Sequence, residues 1–202
     1  MRITPVVLEG RVVRLEPLAR QHLEALSAVN ELRLWDLIPR RIDSRATMAQ
    51  RIEELLAAEA AGSDLPLVTV ERASGTVVGS TRFMNIDAAN RRVEIGGTWI
   101  APAWQRTALN TEAKYLMLRH AFETWQCVRV EFKTDALNTQ SRKAILRIGA
   151  KEEGTLRRHL LTWSGRYRDT VYFSILDDEW PAVKANLERM MGMRASVDTQ
   201  RP

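Results

Sequence analysis

The sequence predicts a mixed α/β domain, a largely antiparallel sheet with helices on both faces. Three observations carry that expectation. Short β-branched runs separated by turn residues fill positions 67–100, a long helix with two adjacent apolar stripes follows, and the remainder reads strand, helix, strand, strand. In order, Val12-Val13-Arg14-Leu15 reads as a first strand ending near Pro17. Residues 20–31 set Leu23, Leu26 and Val29 at helical spacing. Residues 46–61 are rich in Ala, Leu, Glu and Arg; Met48, Ile52, Leu55, Leu56 and Glu59 keep the 3.6 period up to a stop at Gly62. Leu67–Glu71, Thr76–Phe83 and Val93–Ile100 then form a meander, with turns at Ala73-Ser74-Gly75 and Asp87-Ala88-Ala89-Asn90. Gly96-Gly97 inside the third strand weakens pairing and predicts a bulge. A helix over 110–125 follows, its face wide enough to pack deep against a sheet. Val128–Phe132 is a strand, Asn138–Ile148 a helix stopped by Gly149, and 152–162 and 168–176 two more strands. A last helix starts after Asp178, with Pro181 in its first turn.

The chain has 202 residues, 45% hydrophobic and 27% charged, which suits one domain over 1–189 with 190–202 as a disordered tail. No apolar run approaches the ~20 residues of a membrane span. The apolar run after the N-terminus is too short for a signal segment, so a cytoplasmic location is expected. A single cysteine, Cys127, excludes an internal disulfide and a multi-cysteine zinc site. His22, His120 and His159 match no metal spacing, and no metal is expected. The net charge of +5 is spread along the chain without a block of like charges. It suits an anionic ligand; no motif of interleaved aromatic and basic residues points to nucleic acid.

The element order, together with Trp104-Gln105-Arg106-Thr107-Ala108-Leu109-Asn110-Thr111-Glu112-Ala113-Lys114, resembles the GNAT superfamily of acyl-CoA-dependent N-acetyltransferases, and within it the RimJ/RimL-like branch. Glu94-Ile95-Gly96, Asn138-Thr139-Gln140-Ser141-Arg142-Lys143-Ala144-Ile145, Gly149 to Gly154, Leu156 to His159 and Arg166-Tyr167-Arg168-Asp169 complete the pattern, over about residues 8–180. The resemblance implies a V-shaped splay between the central strands and acetyl-CoA as co-substrate. The acceptor it implies is a primary amine, either a protein N-terminal α-amino group or a small molecule, attacking directly in a ternary complex. A non-catalytic acyl-CoA-binding module is the other reading, and a homodimer is left open.

By that resemblance Gln105, Arg106, Thr107, Ala108, Leu109, Asn110 and Thr111 form the diphosphate loop. The superfamily has glycine where Ala108 and Asn110 stand, which raises the question of backbone strain. The physical basis is the unpaired amides and positive dipole end of a helix N-terminus. Read locally, Asn110 or Thr111 simply caps a helix. Trp99 and Ile100 lie where a pantetheine arm would pair with exposed backbone, and Asn138, Ser141 and Arg142 line its far side. Asn138 also reads as a plain helix cap. Glu94 is the candidate general base and Ser141 the candidate proton donor to the leaving thiolate. Glu94 reads alternatively as a surface partner of Arg91 or Arg92. Trp35 and His159 are the candidate acceptor contacts, Trp35 reading equally as a core plug. An Arg168–Asp169 pair is expected to stabilise the last hairpin, Cys127 is expected to be small apolar filler, and His120 a satisfied buried or half-buried histidine.

Overall fold

The computed structural model describes residues 1 and 3–193. One eight-stranded sheet carries the fold: β1 (Leu8–Glu9), β2 (Val13–Pro17), β3 (Leu65–Glu71), β4 (Thr76–Asp87), β5 (Arg92–Ile100), β6 (Arg129–Asp135), β7 (Lys151–Leu161) and β8 (Tyr167–Leu176), in the order β1-β2-β3-β4-β5-β6-β8-β7. Every neighbouring pair is antiparallel except β5–β6, which is parallel. A parallel pair needs a crossover, and α3 (Ala108–Arg119) supplies it. The other helices are α1 (Leu23–Ala28), α2 (Arg45–Ala60), α4 (Thr139–Arg147) and α5 (Trp180–Met190).

Alternation along the strands divides the apolar residues between two cores. Leu67, Phe83, Val93, Ile95, Val130, Phe132, Phe173 and Ile175 face one core, with Met117 and Leu118 of α3 and Leu187 of α5. Val68, Val70 and Trp99 face the other, with Leu26 of α1, Trp35, and Ile52 and Leu55 of α2. β3 is covered on both sides, and for that reason it reads as a continuous apolar run rather than an alternating one.

The expected α/β sheet stands, with several local corrections. β1 is an additional strand, too short to leave a pattern. The helix expected over 20–31 is a 3-10 turn, Arg20–His22, followed by the six residues of α1. His22 Nδ1 accepts from the Ala19 amide at 3.0 Å and fixes that turn. α3 begins at Ala108, ahead of the expected 110. Past Arg119 it widens into a π turn, His120–Thr124, closed by the Trp125 amide donating to His120 O at 3.0 Å. Met190, expected in the tail, instead belongs to α5, and the Met191 amide donates to Leu187 O. Residues 194–202 lie outside the described residues.

Candidate active site

β5 and β6 pair through Arg92↔Arg129, Val93↔Val130 and Glu94↔Glu131, and their pairing ends there. Beyond Glu94, β5 continues to Ile100 on β4 alone, and β6 continues to Asp135 on β8 alone. The glycine pair lies just past the point of parting. Gly97 and Thr98 together oppose the single residue Thr81, a bulge between the Ser80 and Arg82 partners. Gly97 has φ +58, and a Cβ on it would lie 3.1 Å from Arg82 Nη1. The expected bulge is present, and beyond Glu94↔Glu131 the two strands no longer pair, leaving a wedge lined by two backbone edges.

The Gln105–Thr111 segment stands at the mouth of that wedge. Thr107 is the cap of α3: its Oγ1 accepts from the Leu109 amide at 3.3 Å and donates to Trp104 O at 2.8 Å. The local alternative that put Asn110 or Thr111 at the cap is therefore corrected. Ala108, Leu109 and Asn110 form the first helical turn, where amides have no partner within the helix. The strain question also moves. The left-handed residue is Arg106, at φ +60, while Ala108 and Asn110 are helical. Gln105 Nε2 donates to Ile100 O at 2.8 Å, and Gln105 Oε1 accepts from Gln140 Nε2 at 3.3 Å, so this side chain links the end of β5 to α4. Thr111 is buried and accepts from Arg147 Nη2 at 2.8 Å.

Across the wedge, Asn138 caps α4, its Oδ1 accepting from the Ser141 amide at 2.9 Å. Ser141 sits in the first turn of α4 and is half-buried. Arg142 is held by Glu152 at 3.1 Å. Trp99 and Ile100 are both buried, past the bulge on β5.

Glu94 lies at the apex, 2% exposed. Neither Arg91 nor Arg92 pairs with it. Its Oε2 accepts from Asn85 Nδ2 at 2.8 Å and meets Lys133 Nζ at 2.9 Å. Its Oε1 takes no hydrogen bond among the described residues and lies 3.0 Å from the position a Cβ on Gly96 would occupy. Lys133 Nζ also stands 5.9 Å from the Tyr172 ring centroid, and Tyr172 lies 5.9 Å from His159. Asn85, Lys133 and Tyr172 went unseen in the sequence. Lys133 follows Glu131 by two and so shares the face of Glu94, but only the β5–β6 register reveals it.

Trp35 is buried against Trp99, centroids 5.6 Å apart, and its Nε1 donates to Asn30 Oδ1 at 2.7 Å. It packs as a core residue between α1 and α2. The expected Arg168–Asp169 pair does not form among the described residues. Neighbours along a strand point to opposite faces, and Asp169 Oδ1 accepts instead from the Arg158 amide at 2.6 Å. Cys127 is buried, and burial pushes its thiol up to about 11, which withholds a thiolate at neutral pH.

The profile of the "Acetyltransferase (GNAT) domain" matches residues 13–151. YdaF of Bacillus subtilis (strain 168), provisionally named a ribosomal N-acetyltransferase, is 36% identical over 110 residues, which span 54% of this chain and 59% of YdaF. A GCN5-related N-acetyltransferase from Brucella melitensis superposes with a TM-score of 0.86 at 33% identity, covering 93% of this chain and 86% of that one. Mycobacterium smegmatis RimJ, solved in complex with CoA-disulfide, superposes at 0.78 with 26% identity, covering 94% of this chain and 96% of RimJ. The parted central strands, the helix that begins at their mouth and these likenesses agree: the chain belongs to the GNAT acetyltransferase family.

Proposed function

We propose that this chain is an acetyl-CoA-dependent N-acetyltransferase that acts on a primary amine by direct attack in a ternary complex. The observation that carries the reading is the end of β5–β6 pairing at Glu94↔Glu131, beside the N-terminus of α3. The residues fit the co-substrate. Ala108 and Asn110 direct N–H groups and the positive end of α3 at the mouth, where a diphosphate belongs, while the Leu109 amide is capped by Thr107. Asn110 Oδ1 is buried without a partner among the described residues. The unpaired edges of β5 and β6 offer backbone groups to an extended amide-bearing arm, as a sheet edge does to an added strand.

Bound acetyl-CoA supplies an activated acyl carbon and a thiol leaving group. The chain's own residues do the rest. Glu94 Oε1 takes the proton of the attacking amine, directly or through one water. Asn85 and Lys133 both hold Oε2, which keeps the carboxylate oriented. Ser141, whose amide is fixed by Asn138, offers its hydroxyl proton to the departing thiolate. The acceptor is the N-terminal amine of a protein, a ribosomal one by analogy with YdaF, or a small amine.

The test is titration calorimetry with acetyl-CoA followed by thiol release across a panel of peptide N-termini and small amines, with products identified by mass spectrometry. Saturable binding and acylated product support the reading. Binding without turnover across the panel would return the non-catalytic module. Absence of binding would leave only the fold.

A further inference from the structure

On the face of the sheet that carries Glu94, three neighbouring polar atoms have no partner among the described residues: Arg168 Nε, Thr170 Oγ1 and His159 Nδ1. Arg168 and Thr170 alternate with Tyr172 along β8, and His159 lies beside Tyr172 on β7. Arg168 is 5% exposed and Thr170 fully buried. No carboxylate lies within ion-pair distance of the Arg168 guanidinium among the described residues, although its surroundings hold several charges. Burial pushes its pKa down, while Asp135 and Glu94 pull the other way.

Pairing the charges shows what is left over. Glu94 is matched by Lys133, and Asp135 by Arg166. Arg168 remains as a cation without a partner. Native proteins rarely leave a buried guanidinium unmatched, because desolvation is costly unless a counter-charge is present. Thr170 faces Asp135 across the β6–β8 ladder and shares the face of Arg168, so its hydroxyl and the guanidinium converge from one strand.

We propose that Arg168, Thr170 and His159 form an anion subsite for the acceptor, so that the amine acylated beside Glu94 belongs to a molecule bearing a carboxylate. This rests on the acetyltransferase reading above and specifies its substrate class. Arg168 receives the carboxylate through charge-assisted hydrogen bonds, Thr170 donates its hydroxyl, and His159 Nδ1 faces the same anion. The amine is thereby tethered with its nitrogen toward Glu94 Oε1.

The experiment compares acceptors that differ only in charge: the peptides Ala-Glu-Ala-Ala and Ala-Gln-Ala-Ala, and β-alanine with β-alaninamide. Thiol release gives kcat/KM for each, and calorimetry on protein saturated with CoA gives acceptor affinity whether or not turnover occurs. The carboxylate member of at least one pair is expected to be favoured about tenfold or more. Arg168→Gln is expected to bring that ratio to about one, with Arg168→Lys restoring part of it. A preference confined to the peptide pair assigns a polypeptide, and one confined to the small pair an amino acid. Equal treatment of both pairs by the wild-type chain, or a preference unchanged in a folded Arg168→Gln, overturns the subsite. Failure to bind acetyl-CoA would overturn the acetyltransferase reading separately, since that measurement involves no acceptor.

Discussion

Two glutamates are buried in this molecule to nearly the same depth, and their surroundings differ in kind. Glu112, in α3, spends both oxygens on main-chain donors. Oε1 accepts from the Arg11 amide at 2.8 Å, and Oε2 from those of Val12 and Val13 at 2.6 and 2.9 Å. Gly10 permits that grip, because a Cβ there would lie 2.5 Å from Glu112 Cδ. Glu94 spends one oxygen on two side chains and keeps the other free. Burial alone therefore does not mark a carboxylate as chemical. A saturated one fastens the N-terminal hairpin to the crossover helix, and one with a spare oxygen beside a cleft can exchange a proton.

Breaking the saturated site has the largest expected effect. Glu112→Ala strands three amides and should cost about 4 kcal/mol of stability, read as a shift of the urea midpoint. A loss below about 1 kcal/mol would erase the distinction between the two glutamates. Next, Glu94→Gln should lower kcat about a hundredfold, close to 3 kcal/mol of barrier, with acetyl-CoA affinity unchanged. Wild-type turnover in that variant would remove Glu94 from the chemistry. Gly10→Ala attacks Glu112 from its other side and should cost about 2 kcal/mol by forcing the hairpin off the carboxylate. Thermal denaturation checks this, and an unshifted Tm would mean that the hairpin moves freely.

A pH dependence separates both carboxylates from a third buried charge. Lys114 Nζ donates to Thr98 Oγ1 at 2.7 Å, and burial pushes its pKa down to about 7. Between pH 7 and its ordinary value the unfolded chain holds a proton that the folded chain lacks, so stability should rise with pH by up to about 1.4 kcal/mol per unit. Lys114→Met should flatten that rise, whereas neither glutamate variant should change it. A wild-type chain whose stability is level from pH 7 to 9 would contradict the assignment.

Much of this was legible in the sequence because it is local. The meander, the Gly96-Gly97 bulge, α2 and the Asn138 cap each follow from residues within one or two turns of each other. The start of α3 was misplaced because Asn110 and Thr111 are as good capping residues as Thr107. Only the backbone shows that the chain turns at Arg106, a residue with no preference for positive φ. The partners of Glu94 were hidden for a different reason. Arg91 and Arg92 are close in sequence, but Lys133 reaches it through a parallel register formed across the whole α3 crossover. Glu112 and Gly10 were equally invisible, since a helix side chain met by a turn a hundred residues earlier leaves no periodic trace.

The three-rung junction between β5 and β6 also bears on how the chain folds. β1–β5 and β6–β8 are each assembled largely from sequential neighbours, whereas their union must wait for the crossover to close. The amides that bond across this junction are thus expected to report on a late, cooperative closure in hydrogen exchange. A ligand that occupies both edges would hold the two blocks together and slow their separation.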